Sequence, residues 1–454
     1  RNEALHNTTL GNLKILPPQQ LKKLIKRKKV DQVLIAIPSA SKSTLRSLLA
    51  EIEQYSVRVR ILPGLAEIAQ GKVRVSELKE VETSDLLGRF KVEASQELID
   101  KNIKNKSVLI TGAGGSIGSE ISRQVVSNGA KRVLLLDSSE FALYAIKKKL
   151  EELPFSSNII AILGNVTDKN RILNICRSFD VQTIYHAAAY KHVPIVEENP
   201  FEAVTNNIFG TKNCLEAACE AGIETFVLIS TDKAVRPTNI MGATKRFAEL
   251  ILQAHSSERA NLDTKMTMVR FGNVIGSSGS AIPLFQRQIK EGGPVTVTDP
   301  NVIRYFMTIP EASELVIQAG AMGQGGDVFV LDMGEPIKIV DLAKRLINLS
   351  GLEVKDLHNP NGDIEIKFTG LRPGEKLYEE LLIGDNVSKT KHKQILRAEE
   401  NFISVSEIEN YCTALLHARE NNDVETLRSI FLKTISGFEP EKIVDSLYLQ
   451  NNPR

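Results

Sequence analysis

"KSVLITGAGGSIGSEISRQVVSNGAKRVLLLD", residues 106–137, joins a short apolar run to a glycine-rich turn, a helix-like stretch and a second apolar run ending in an acid. Gly112, Gly115 and Gly118 fall between the first run and the helical stretch. Glycine permits a tight turn and lets backbone approach a pyrophosphate, whose charge then meets the helix N-terminus. Asp137 closes the second run, where a carboxylate can take the ribose 2′-hydroxyl of a dinucleotide. A strand-end cap is its plainer alternative. The same carboxylate would repel a 2′-phosphate, and the following Ser138, Ser139 and Glu140 offer no cation to receive one. NAD is therefore favoured, with NADP possible through contacts from the loop "GNVTD" (164–168).

Outward from this stretch the pattern repeats. "IIAILG", "TIYHAAA" and "TFVLIS" are buried-strand runs, each followed by a helical stretch. Strands alternating with helices imply a parallel sheet covered on both faces, a Rossmann-type doubly wound α/β fold. Residues 1–85 carry a weaker α/β pattern without a phosphate turn, and read as a partial nucleotide-fold domain. "VSELKEVETSDLLGRFKVEAS" (75–95) reads as a linker. The core with the reacting segment is expected over 86–270, a Gly- and Pro-rich substrate-binding region over 271–385, and a polar helical tail over 386–454.

Composition excludes several classes. With 454 residues, two or three domains are expected. A formal net charge of +2 gives no global argument for nucleic acid, and the short basic run "LKKLIKRKK" (21–29) reads as a solvated helix face. Cys176, Cys214, Cys219 and Cys412 form no metal-ligand or redox spacing and read as reduced packing residues, so no metal is expected. No apolar stretch reaches the roughly 18–20 residues of a membrane span. The chain opens at Arg1 rather than Met, which leaves room for a preceding segment.

"ISTDKAVRPTNIMGATKR" (229–246) supplies the chemistry. Together with "TGAGGSIG", "HAAAYKHVP" and "NNIFGT" it resembles the extended short-chain dehydrogenase/reductase superfamily, and within it the large membrane-anchored nucleotide-sugar 4,6-dehydratases of bacterial glycan biosynthesis that act on UDP-N-acetylglucosamine. The resemblance covers about residues 85–385. It implies C4 oxidation, loss of water across C5 and C6, and return of the same hydride to C6, with NAD bound throughout. It further implies a dimer at the cytoplasmic face of the inner membrane, anchored by a segment outside this chain. Cofactor contacts implied by the resemblance are Thr111, Gly112, Gly115, Ser116, Ile117, Gly118, Asp137, Ser138, Asn165, Val166, Ala187, Ala188, Ala189, Ser230 and Lys245.

A Tyr four residues before the Lys normally moves the C4 hydroxyl proton in this superfamily. Here Met241 occupies that place before Lys245, and a thioether cannot carry a proton. The proton work is therefore expected of the neighbouring triplet. Asp232 is the candidate acid for the C6 hydroxyl, and Lys233 the candidate base at C5, kept neutral by burial or by positive charge from Lys245. Thr231 would hold the C4 oxygen, and Lys245 the nicotinamide ribose. Asp232 as a turn residue with Lys233 solvated is the plainer reading. Tyr190 is a rival proton carrier, and Lys191 and His192 would shape the sugar pocket. For the nucleotide, the resemblance points to Asn273 at a phosphate, Thr296 near the base, Arg304 and Arg372 on the diphosphate, and Glu375 at the ribose. Guanidinium forks pair with phosphate oxygens bidentately, although either Arg alone is more often a surface ion pair. A 4-epimerase, or a silent NAD-binding scaffold subunit, are the alternatives.

Overall fold

A computed structural model describes residues 3–28, 30–37, 40, 42–62, 79–80, 94–154, 158–258, 264–380 and 387–440. Most of the expected linker 75–95, and the expected boundary at 385, lie outside these residues. Contacts divide the chain into two units that interleave in sequence: 1–89, 280–302 and 337–370 form the smaller, and 90–279, 303–336 and 371–454 the larger.

The larger unit is built on nine strands: β1 (Ser107–Thr111), β2 (Arg132–Asp137), β3 (Asn158–Leu163), β4 (Val181–His186), β5 (Thr225–Ile229), β6 (Lys265–Arg270), β7 (Asp327–Leu331), β8 (Val387–Lys389) and β9 (Ile395–Ala398). They run in the order 8-9-7-6-5-4-1-2-3. Strands β1 to β7 pair in parallel, and β9 and β8 add an antiparallel edge. Chain order reverses direction between β1 and β4, so the connections leaving their C-terminal ends diverge and leave a crevice. The fold is the Rossmann-type α/β arrangement expected from the alternating runs.

Continuous apolar strands follow from burial on both faces. All five residues of β1 are buried. Leu109, Leu134 and Leu136 enter one core cluster, while Val108, Ile110, Val133 and Leu135 enter the other, as the two-residue period of a strand requires. The helices are α1 (Gln96–Ile103), α2 (Ser116–Ser127), α3 (Glu140–Glu151), α4 (Lys169–Ser178), α5 (Val193–Glu198), α6 (Gly210–Glu220), α7 (Ile240–Glu258), α8 (Ile309–Met322), α9 (Val405–Glu420) and α10 (Val424–Thr434). In α7 every residue from Ile240 to His255 is buried, because α9 and α10 cover the side turned away from the sheet. Phe247 meets Phe431 at 6.2 Å between ring centroids, and Phe431 meets Phe438 edge-on at 5.8 Å.

Residues 387–440 thus differ from the polar helical tail expected over 386–454. They supply two strands of the main sheet and the apolar cover of α7. Local polarity hid this, since Leu415, Leu427 and Phe431 meet partners far away in sequence.

The smaller unit contains a sheet of Gln32–Ile35, Arg58–Ile61 and Lys79–Glu80, and a parallel sheet of Val295–Val297, Ile364–Phe368 and Val354–Lys355. Helix Ile339–Leu349 belongs to it and reaches the N-terminal segment, with Arg345 at 3.5 Å from Glu53. The substrate region expected over 271–385 is therefore split between the two units.

If the C-terminal helices are part of the core, Phe431→Ala should cost about 3–5 kcal/mol. Leu357→Ala, at a side chain 99% exposed, should stay within about 0.5 kcal/mol. Denaturant unfolding of both variants checks this, and equal midpoints would overturn it.

Candidate active site

The turn after β1 is shaped by contacts that leave no room for side chains. Gly112 has φ +64°, and a Cβ there would lie 2.7 Å from Ala188 backbone; a Cβ on Gly118 would lie 2.1 Å from the Gly112 carbonyl oxygen. Asp137 ties the turn to β2. Its Oδ2 accepts from Gly114 N–H and its Oδ1 from Ser139 N–H, both at 2.8 Å. Helix α2 starts at Gly115 without a side-chain cap, and Ser116, Ile117 and Gly118 of its first turn line the cavity beside it. Uncapped N–H groups at a helix start are donors for an anion.

Two adjoining cavities open on this turn. One, of about 290 Å³, is lined by Gly112, Gly115, Asp137, Ser138, Asn165, Val166, Ala187, Ala188, Ala189 and Tyr190. The other, of about 680 Å³, shares Gly112, Gly115, Ala187, Ala189 and Tyr190 with it and extends past Ser230, Thr231, Lys233, Met241 and Lys245 to Asn273. Lys191 and His192 also line the larger cavity. Nearly all the expected cofactor residues are thus brought together. Thr111 is the exception: it is fully buried, and its hydroxyl lies 2.8 Å from Nδ1 of His186 instead.

The reacting segment follows β5. Lys233 Nζ donates to Asp232 Oδ1 at 3.0 Å, and Thr231 Oγ1 donates to the same oxygen at 2.9 Å. Asp232 is 1% exposed and stands behind the cavity wall, while Thr231 and Lys233 are on it. Among the described residues, Asp232 Oδ2 has no hydrogen-bond partner. It is packed against Gly272, where a Cβ would come within 2.9 Å.

Two of the three lysines lining the larger cavity, Lys233 and Lys245, are driven in opposite directions. Burial pushes Lys245 down to about 8, partly opposed by Glu249, and its Nζ donates to the Ile229 carbonyl at 2.6 Å. Burial also acts against a charge on Lys233, but Asp232 and Glu379 outweigh it and raise Lys233 above the usual lysine value. This corrects the expectation of a neutral Lys233, because two carboxylates face it at ion-pair distance.

The nucleotide residues are less gathered. Asn273 lines the larger cavity, with Oδ1 at 3.5 Å from Lys233 Nζ. Arg304 is buried and pairs with Glu375 at 3.2 Å, and Arg372 is exposed; none of these three lines either cavity. Thr296 belongs to the smaller unit, where Gln288 holds both its hydroxyl and its N–H. Glu379 was not legible in the sequence, since nothing in "EKLYEELL" separates the buried acid from the half-buried Glu375 and Glu380.

Residues 108–400 match the family model described as polysaccharide biosynthesis protein. The chain belongs to this family. The capsular polysaccharide biosynthesis protein CapD of Staphylococcus aureus is 49% identical over 366 residues, which is 80% of this chain and 59% of that protein. The chain thus spans about three fifths of that relative's length. A UDP-glucose 4-epimerase of Rickettsia rickettsii is 34% identical over 63% of this chain and 80% of its own. Among solved structures, Pen from Bacillus thuringiensis superposes with a TM-score of 0.59 at 34% identity, covering 68% of this chain and 98% of that one.

The Lys245 shift has a testable consequence. With its folded value near 8 and an unfolded value near 10.5, the unfolded chain binds more protons between these limits, so stability gains from this group as pH rises through them. Lys245→Met should therefore be more stable than the parent at pH 7, by on the order of 2–3 kcal/mol. The difference should shrink by pH 10. Unfolding of the ligand-free proteins at both pH values measures it, and a pH-independent difference would refute the assignment.

Proposed function

We propose that this chain is an NAD-dependent nucleotide-sugar 4,6-dehydratase that converts UDP-N-acetylglucosamine to its UDP-4-keto-6-deoxy product. The observation carrying this reading is that Lys233, in contact with buried Asp232, lies on the wall of the same cavity as the glycine turn. A cavity that only stored a dinucleotide has no use for a buried acid–base pair at the end of a sheet strand.

The residues present fit a dinucleotide: Gly112 and Gly118 leave space only for backbone, and Asp137 offers a carboxylate on the smaller cavity. Asp137 and Ser138 would take the adenosine ribose, the first turn of α2 the pyrophosphate, and Lys245 the nicotinamide ribose. When bound, NAD supplies a reversible hydride store, so that oxidation at C4 and reduction at C6 of one sugar leave it unchanged overall.

Between those steps the sugar loses its C5 proton and its C6 hydroxyl. Lys233 serves as the base and Asp232 as the acid. Because Lys233 begins as an ammonium, one proton first crosses the 3.0 Å contact to Asp232. That single transfer creates both working forms, a neutral amine and a carboxylic acid. Thr231 steadies the C4 oxygen, whose proton leaves through water to solvent as the C4 hydride departs. When hydride enters C6, Lys233 returns its proton to C5 and the pair regains one proton from solvent. Met241 contributes packing on the cavity wall. Asn273 and, on family grounds, Arg304, Arg372 and Glu375 hold the nucleotide. A dimer at the cytoplasmic face of a bacterial inner membrane completes the proposal.

A 4-epimerase is the second reading, favoured by the epimerase relative from Rickettsia. Epimerisation requires no acid for a leaving hydroxyl, so the Asp232–Lys233 pair weighs against it. Mass spectrometry of UDP-N-acetylglucosamine incubated with the chain separates the two. Loss of one water is expected, falling ~10²–10⁴-fold in Asp232→Asn and in Lys233→Ala. An isomer of unchanged mass would establish the epimerase, and water loss surviving both substitutions would move the proton chemistry to Tyr190.

A further inference from the structure

Glu379 is a carboxylate with a side chain only 4% exposed, and such a group requires compensating charge. Its Oε1 lies 3.7 Å from Lys233 Nζ and 3.9 Å from Arg304 Nε. Lys233 also pairs with Asp232 at 3.0 Å, and Arg304 also pairs with Glu375 at 3.2 Å. The result is a row of alternating charge, Asp232–Lys233–Glu379–Arg304–Glu375, within the larger unit. One end is the proposed acid, and the other is a residue proposed to meet the nucleotide ribose.

We propose that Glu379 is the positioning residue that keeps Lys233 an ammonium in contact with Asp232 until substrate arrives, and that it ties that charge to Arg304. This rests on the dehydratase reading above. The chemical reason is a proton count. Elimination requires one proton held by the pair, to be handed to the departing C6 oxygen, while the C5 proton is taken up in its place. A neutral Lys233 beside an ionised Asp232 has lost that proton to solvent. Two carboxylates around one amine prevent the loss, and burial strengthens their effect.

Another charge facing Lys233 works the opposite way and is outweighed by the two carboxylates. Arg304 opposes its protonation, and Asn273 is a neutral neighbour. The remaining titratable groups on the cavity wall are Tyr190, Lys191, His192, Glu202 and Lys245. Lys245 lines the same cavity without being among the groups that set the charge of Lys233, which makes it an internal reference.

The test is competitive acetylation of lysines at fixed pH, read by peptide mass spectrometry, in the parent, Glu379→Gln and Glu379→Asp. Only the neutral amine reacts. Removing one nearby charge should raise labelling of Lys233 relative to Lys245 at least ~10-fold in Glu379→Gln. Glu379→Asp should return it toward the parent. A merely opened cavity would raise both lysines together and overturn the proposal, as would an unchanged ratio. Water loss from UDP-N-acetylglucosamine is followed on the same samples, with a fall expected in Glu379→Gln and partial recovery in Glu379→Asp. Absence of turnover in the parent would sink the dehydratase reading while leaving the labelling ratio to decide the role of Glu379.

Discussion

The Glu249 carboxylate is the point on which the larger unit is hung. It is wholly buried on α7 and accepts from Arg270 Nε at 2.8 Å and Nη2 at 2.6 Å, at the end of β6. It also accepts from Ser230 Oγ at 2.6 Å, one residue before the reacting triplet. Arg246, one turn earlier on the same helix, adds a bond at 3.1 Å, and both arginines reach Glu400 in the C-terminal segment. Four buried charges of balanced sign thus lock β5, β6, α7 and the chain beyond β9 into one register. Removing a single partner would strand a charge in the core, so the cluster tolerates little drift. Because Met241 and Lys245 lie on the first turns of α7 and Thr231 follows Ser230, the cavity wall inherits that rigidity.

What the sequence made legible was local. Residues 106–137 announce strand, turn, helix and strand because each is written in consecutive residues. Lys233, Met241 and Lys245 were legible for the same reason, standing at fixed steps after one strand. Glu379 and the Glu249–Arg270–Glu400 cluster were not, since their partners are remote in sequence and an acid on a helix-like segment is ordinarily solvated. The interleaving of the two units was equally hidden: 280–302 and 337–370 carry no composition shift against the segments between them. The family resemblance placed Thr111 at the cofactor, yet a strand-end hydroxyl beside a buried His186 satisfies the histidine first. Burial pushes that imidazole down to about 3, with Lys245 adding to the effect, and Thr111 and Thr211 flank its two ring nitrogens.

The replacement of a phenol by Met241 becomes intelligible from the division of labour between the lysines. Where a Tyr precedes the Lys by four residues, the lysine's charge makes the phenol a better proton carrier. With a thioether there, that charge has no acid to act on, and keeping it in a buried wall only costs solvation. Lys245 reflects this: its ionisation is depressed, and its Nζ is turned to the Ile229 carbonyl. Lys233 is driven the other way, its charge favoured by Asp232 and Glu379, with Nζ 3.0 Å from the Asp232 carboxylate. A protein that merely retired the phenol would have no reason to surround Lys233 with two buried acids, each expensive to hold without water. The arrangement is coherent when a proton is stored there for use, as the proposed elimination of a hydroxyl requires.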